Sequence, residues 1–144
     1  IKIIMKKRKI KWFLLGGLLF LVIIVFAYSK QEKTYTIDLL NLEDITAVKI
    51  DDLTLEDNVT EYNDQNTIEE LYHIFYNKTT KEESTTLNPE YPDILYIVTF
   101  EDHEGNSTSM YIYRREENYY IEQSYNGIYN SSQEEFECVE KYVD

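Results

Sequence analysis

The sequence predicts an α+β protein: an antiparallel β-sheet with two helices packed on one face, preceded by an N-terminal membrane helix. Three observations support this fold class, namely an apolar N-terminal run, segments that alternate apolar and polar residues, and two stretches with helical spacing. The expected organisation is a basic stub with the membrane segment at 1–28, a tether at 29–33 and an extracytoplasmic α+β domain at 34–144. About 110 residues suffice for one domain with one modest core.

The N-terminal segment begins with a basic cluster and continues as an uncharged apolar run from Trp12 to Tyr28. At about 1.5 Å per residue, a helix over 12–28 spans roughly 25 Å, slightly less than the ~30 Å hydrocarbon core. A basic cluster stays on the cytoplasmic side and directs the following domain outward. The same pattern fits a secretory signal cleaved after Ala27. We therefore expect a single-pass cell-membrane protein with its C-terminal domain outside, or a secreted domain if cleavage occurs.

Charge is distributed unevenly along the chain. Residues 1–28 carry six of the 14 basic residues and none of the 27 acidic ones, so 8 basic and 27 acidic residues remain, a net charge of −19. A domain this acidic is repelled by nucleic acid and by anionic polymers. We expect a basic protein or a cationic peptide as partner and no nucleic acid. The alternative is that the acidity only keeps a small exported domain soluble.

Six segments have the composition of strands, and their order with two helices is β-β-β-α-β-β-β-α. They are residues 35–39, 44–51, 53–62, 94–102, 107–115 and 119–125. Asn126 and Gly127 follow the last strand and predict a turn with a positive φ at Gly127. The longest irregular segment, 78–92, is either a binding loop or a flexible crossover between the first helix and the fourth strand.

Two helices are predicted from apolar residues that recur at helical spacing. The first carries Ile68, Leu71, Tyr72 and Phe75. Asn66 or Thr67 is expected to cap it, with Glu69 or Glu70 completing a capping box. The second helix follows a cap at Ser131 or Ser132 and carries Phe136, Val139 and Val143 toward the sheet.

The chain has few of the groups on which enzymes depend. His73 and His103 are too far apart for a zinc pair, and four glycines, two of them in the membrane segment, build no phosphate-binding loop. Cys138 is the only cysteine, and we expect a buried structural thiol, with a reactive thiol or an intermolecular bridge as alternatives. We predict no enzymatic activity, no cofactor and no metal site.

Tyrosine supplies the remaining functional signal, with 14 in the chain. Alternation along two neighbouring strands brings five tyrosine, arginine and glutamate residues to one face, called the Tyr/Arg face below. Its members are Tyr111, Tyr113, Arg115, Tyr120 and Glu122. Tyrosine and arginine anchor protein interfaces, so we predict partner binding here if helices cover the opposite face with Met110, Ile112 and Ile121. The alternative is that these tyrosines are ordinary strand residues.

Residues 119–129, Y-Y-I-E-Q-S-Y-N-G-I-Y, resemble a family of small exported bacterial proteins, mostly from Gram-positive species, known as a domain of unknown function. The resemblance runs from about Ile45 to Val143 and includes an opening I-T-x-[VI]-x-I strand. Ser124 stands where the family often has proline. The resemblance implies an antiparallel sheet with helices, a membrane or lipid anchor, and no established catalytic residues.

These observations favour a membrane-anchored extracytoplasmic binding domain whose ligand the sequence does not identify. A structural or regulatory accessory of an envelope complex, acting through its anchor, is the first alternative. A cell-envelope hydrolase is the second, since paired carboxylates catalyse glycoside hydrolysis and acidic pairs are frequent in the chain. Spacing alone selects no catalytic pair among them.

Overall fold

The computed structural model describes residues 2–29, 32–55, 58–90 and 92–143, with only the backbone of residues 2–8. The predicted cluster at Lys6, Lys7 and Arg8 thus lies outside the described side chains, as do Glu56 and Asp57 within the third predicted strand. The chain divides into two compact units, Ile1–Lys33 and Thr34–Asp144.

The first unit contains one long helix, α1 at Lys2–Ser29. Its stretch Lys9–Ser29 has a mean hydropathy of 2.5 and is, in the described part of the chain, the one helix long and apolar enough to cross a membrane. The large apolar side chains from Trp12 to Tyr28 are exposed around the whole helix. A candidate membrane segment at this place is confirmed, and both an anchor and a signal sequence fit it.

The second unit is built on a six-stranded antiparallel sheet of order β3-β2-β5-β6-β7-β8, with a separate two-stranded sheet of β1 and β4. The strands are β1 Tyr35–Thr36, β2 Ile45–Asp52, β3 Val59–Tyr62, β4 Thr79–Thr80, β5 Ile94–Asp102, β6 Ser107–Arg115, β7 Asn118–Gln123 and β8 Gly127–Asn130. The helices are α2 Gln65–Phe75 and α3 Gln133–Glu140, with a short 3-10 helix at Leu42–Asp44. The predicted antiparallel α+β class is confirmed.

Both helices of this unit pack on one face of the sheet, where they bury the predicted apolar positions. Met110, Ile112 and Ile121 are fully buried in a core that also contains Phe75 of α2 and Val139 of α3. Strand alternation places these sheet residues on one side, and the helical stripes close over them. The core therefore follows directly from the two periodicities in the sequence.

The first predicted cap is wrong, and the second is confirmed. Asp64, not Asn66 or Thr67, caps α2, because its carboxylate accepts hydrogen bonds from the Thr67 amide at 3.0 Å and the Thr67 hydroxyl at 2.7 Å. These bonds lower the pKa of Asp64. Ser132 caps α3 by accepting from the amide of Glu135 at 3.1 Å.

The turn before β8 also differs from the prediction. The positive φ, 57°, belongs to Tyr125, whereas Gly127 begins a strand. A side chain at Gly127 would place its Cβ 2.7 Å from Thr80 Cγ2 and 2.8 Å from the Tyr129 hydroxyl. Glycine is therefore required here by close packing and not by backbone conformation.

Candidate binding site

The register of the sheet brings the residues of the Tyr/Arg face together as predicted. Tyr111 lies opposite Glu122 and Tyr113 opposite Tyr120 in the pairing of β6 with β7. Tyr111 and Tyr113 form a second, smaller apolar cluster with Leu95. This cluster lies on the side of the sheet opposite the helices.

The expectation that this face is open is wrong for three of its five residues. Tyr111, Tyr113 and Glu122 are 9%, 1% and 2% exposed, because part of the long irregular segment folds over them. We call residues 82–90 the cover segment. Its backbone bonds to the edge of the sheet, where the Ile128 amide donates to the Glu82 carbonyl at 3.0 Å.

Glu122 lies at the centre of the contacts between the cover segment and the sheet. Its carboxylate accepts hydrogen bonds from the hydroxyls of Ser84 at 2.5 Å, Thr86 at 3.2 Å and Tyr113 at 3.3 Å. Burial, together with the nearby charge of Glu122, raises the pKa of Tyr113. A buried carboxylate with three donors is well satisfied, so this arrangement holds the cover segment on the sheet.

Beside this network lies a small cavity of about 220 Å³. Glu83, Glu90 and Glu122 line it together with Arg115. Within the described residues, no group of three or more His, Cys, Asp and Glu side chains is placed to hold a metal ion.

Arg115 and Tyr120 are the accessible part of the Tyr/Arg face. Arg115 is exposed and lies over the Tyr120 ring, 5.1 Å from its centroid. Tyr120 in turn stacks on Tyr113 with 5.5 Å between the ring centroids. The two residues form a rim at the edge of the cover segment.

A larger groove, about 640 Å³, lies between the 3-10 helix and the C-terminal end of α2. We call it the aromatic–acidic groove. Its lining residues are Asn41, Leu42, Glu43, Asp44, Tyr72, His73 and Tyr76. Tyr76 is 53% exposed and stacks on Tyr72, with 5.8 Å between the ring centroids and 28° between the ring planes. Tyr72 is fixed in turn, since its hydroxyl donates to the Leu40 carbonyl at 3.0 Å.

Sequence reasoning missed this groove. Tyr72 and Tyr76 are four residues apart, which is a signal for neighbouring rings on a helix. The acidic pair Glu43 and Asp44 precedes these tyrosines by about thirty residues in the sequence, and nothing local indicates that the acids and the rings meet. Exposed ring faces beside carboxylates form a site suited to a cation.

Of the two histidines and the cysteine, His73 lines this groove and is exposed, whereas His103 and Cys138 lie outside it. Cys138 is half-buried, and its thiol donates to Glu70 at 3.3 Å. Burial, with this hydrogen bond, raises the pKa of Cys138 to about 11. The thiol form therefore predominates at neutral pH, which favours the structural interpretation over a reactive cysteine.

Comparison with known proteins identifies a family but no activity. No curated protein matches the chain. The NMR structure of a protein from Ruminococcus gnavus is similar, with 27% sequence identity and a TM-score of 0.53, covering 69% of this chain and 98% of that chain. The family model DUF5301, described as "Domain of unknown function (DUF5300)", matches residues 31–130. Because this match covers more than half of its length, the chain belongs to this family of unknown function.

Proposed function

We propose that this protein is a membrane-anchored extracytoplasmic binding domain that holds a basic side chain of a partner protein or cationic peptide in the aromatic–acidic groove. The observation that carries the proposal is the exposed Tyr76 ring, stacked on Tyr72 beside Glu43 and Asp44. A lysine or arginine gains from both the ring face and the carboxylates.

The charge of the whole domain supports this partner class. A net charge of −19 beyond Tyr28 attracts a basic partner over a distance comparable with the Debye length and raises the rate of encounter. The groove then supplies specificity at short range, which uniform surface acidity does not. The α1 helix supports the anchored and outward-facing part of the proposal.

The groove replaces most of the Tyr/Arg face in this proposal. Tyr111, Tyr113 and Glu122 are occupied in holding the cover segment. Arg115 and Tyr120 remain as an exposed contact, although the cationic Arg115 suits an acidic group on the partner. If substitution of Arg115 or Tyr120 alone abolished partner binding, the binding site would be the Tyr/Arg face and not the aromatic–acidic groove.

The test is binding of a fluorescent decalysine peptide to the full chain in nanodiscs of zwitterionic lipid, measured by anisotropy at low and high salt. We expect Tyr76→Ala to weaken binding about two- to fivefold, the effect of losing about 0.5–1 kcal/mol of cation–π attraction. The double variant Glu43→Gln/Asp44→Asn should weaken it further and flatten the salt dependence.

Matched controls separate the groove from general acidity. Glu104→Gln/Glu117→Gln removes the same two charges from exposed positions outside the groove, and Tyr125→Ala removes another exposed tyrosine. If these controls reduce decalysine affinity as much as the groove variants, the groove has no specific role and the proposal fails.

A further inference from the structure

A second groove, about 580 Å³, lies where β6 begins and β7 ends. Its chemistry differs from that of the aromatic–acidic groove, because its walls present mainly hydroxyl, amide and carboxyl groups. Asp38, Ser107, Ser109, Gln123 and Asn126 are among the lining residues. Neither lysine nor arginine occurs among the described residues that line it. We call it the hydroxyl groove.

The floor of the hydroxyl groove is held in place by Gln123, which is 8% exposed. Its amide nitrogen donates to the Asp38 carbonyl at 2.8 Å, and its amide oxygen accepts from the Asp38 backbone nitrogen at 2.9 Å. Asn126 adds a third bond by donating from Nδ2 to the same amide oxygen at 2.6 Å. The groove is therefore formed before any ligand arrives, which lowers the entropic cost of binding.

Two polar groups of the groove remain available. Within the described part of the chain, neither the Asp38 carboxylate nor the Ser107 hydroxyl makes a hydrogen bond. Both residues are exposed. Together they offer a charged acceptor and a hydroxyl that both donates and accepts.

Tyr125 supplies an apolar surface at this groove. It is 66% exposed, and its φ of 57° is a conformation that bulky side chains rarely adopt. Two hydrogen bonds fix the turn that imposes this conformation. The Asn126 amide donates to the Gln123 carbonyl at 3.0 Å, and the Ser124 hydroxyl donates to the Leu87 carbonyl at 2.6 Å. An exposed ring held in an unfavourable backbone conformation is a feature that clusters at ligand sites.

We propose that the hydroxyl groove binds a neutral saccharide. A pyranose ring has an apolar C–H face, which fits the Tyr125 ring, and an edge of vicinal hydroxyls, which Asp38 and Ser107 bond. The lack of a basic lining residue and the strongly acidic domain favour a neutral sugar over a phosphorylated or carboxylated one. This site is separate from the aromatic–acidic groove, so the saccharide proposal does not depend on the function proposed above.

The test is an NMR titration of the isotope-labelled full chain in nanodiscs of zwitterionic phospholipid, because glycoside detergents would occupy the same site. The probes are tri-N-acetylchitotriose, cellotriose and maltotriose, added separately. For at least one of them we expect saturable shifts of the Tyr125, Asn126 and Ser107 amide signals, with a dissociation constant of order millimolar.

Variants identify the groups that bind. Tyr125→Gly relieves the backbone strain, so the fold is retained while the ring is lost, and we expect about tenfold weaker binding. Asp38→Asn should weaken it about threefold or more, through loss of a charge-assisted hydrogen bond. Tyr76→Ala, in the aromatic–acidic groove, should leave the titration unchanged.

The absence of shifts with all three saccharides would overturn the proposal, as would shifts that persist unchanged in Tyr125→Gly. Shifts of the same signals with decalysine, abolished in Asp38→Asn and not produced by sugars, would also overturn it and would make the groove a cation site. The decalysine anisotropy assay is expected to be unaffected by Asp38→Asn beyond the loss of one charge, so failure of either proposal is distinguishable from failure of the other.

Discussion

The two faces of the sheet are closed by different physical means. On the helix-covered face, Met110, Ile112 and Ile121 are fully buried in one apolar core with side chains of α2 and α3. On the other face, the cover segment lies over a smaller cluster and is held by hydrogen bonds, with Glu122 at their centre. One face depends on apolar area and the other on directional bonds between a few named atoms.

This difference has a consequence for local stability. Apolar burial stabilises by about 25 cal/mol per Å² and is spread over many side chains, whereas the hydrogen bonds of the cover segment each contribute about 1 kcal/mol net. Regions with few buried apolar contacts open before the rest of a domain. We therefore expect the cover segment to open locally while α2 and α3 stay packed.

The largest effect is expected on the helix-covered face. Phe75 of α2 is fully buried and contacts Phe100 edge-to-face, with 6.1 Å between the ring centroids. Phe75→Ala should lower the free energy of unfolding by about 3–5 kcal/mol through lost transfer energy and a cavity. Urea unfolding followed by near-UV circular dichroism measures this, and the exposed Tyr76→Ala is the matched control. A loss below about 1 kcal/mol would mean that this face is not the main core.

A smaller and more local effect is expected on the face under the cover segment. Glu122→Ala removes the acceptor of the buried Tyr113 hydroxyl and the shorter of the two hydrogen bonds of the Ser84 hydroxyl, at a cost of about 2–3 kcal/mol. Hydrogen exchange should accelerate at amides of residues 82–88 and remain slow in α2. Glu122→Gln, which keeps an acceptor oxygen, should show a weaker effect. Equal acceleration in α2 would contradict a separate closure of the two faces.

An effect of intermediate size is expected at Gly127, where the cover segment meets β8. Gly127 forms a β-bridge with Glu83, and a Cβ there would contact Thr80 and Tyr129 at under 3 Å. Gly127→Ala should destabilise the domain by about 1–3 kcal/mol through overpacking, measured by the same urea unfolding. Thr80→Ser removes the contacting methyl group, so the double variant should recover part of the loss. If the losses of unfolding free energy in Gly127→Ala and Thr80→Ser were additive in the double variant, the contact with the Thr80 methyl group would not be the source of the destabilisation.

The predictability of the two faces differs for the same physical reason. Helical spacing of Ile68, Leu71 and Phe75 predicts α2, and alternation in β6 and β7 predicts the sheet. Both patterns can be recognised because each periodicity is local in the sequence. The cover segment depends on Ser84 and Thr86 meeting Glu122, a contact between residues 36 or more positions apart. Such pairings leave no periodic signal in the sequence. Alternation therefore predicts which residues share the Tyr/Arg face, but it does not predict that the cover segment buries three of them. The aromatic–acidic groove was missed for the same reason.

The sites also show where local rules mislead. Asn126 and Gly127 suggest a turn with glycine at positive φ, yet tertiary bonds to the Thr36 and Leu87 carbonyls place that conformation on Tyr125. A bulky residue adopts it only where its surroundings impose it. The departure from the local rule therefore coincides with the hydroxyl groove.

The smallest effect on the free energy of unfolding is expected for a group of surface hydrogen bonds between α2 and the C-terminal residues. Glu70 of α2 accepts hydrogen bonds from Lys141 at 2.5 Å and from the Tyr142 hydroxyl. The Lys141 bond, followed by that of Tyr142, lowers the pKa of Glu70 from an ordinary value of 4.5 to about 2. A lowered pKa stabilises the fold fully above the unfolded-state value, and this contribution is lost as pH falls from about 4.5 to about 2.

Glu70→Gln should therefore cost less than about 1 kcal/mol at pH 6, because the carboxylate is 43% exposed and solvent screens the pair. The difference in unfolding free energy between the wild type and this variant should shrink toward zero as pH approaches 2. Glu69→Gln, one position along the same helix, is the control. A difference that does not change with pH would mean that Glu70 acts by packing, and the contrast with the buried Glu122 network would then rest on burial alone.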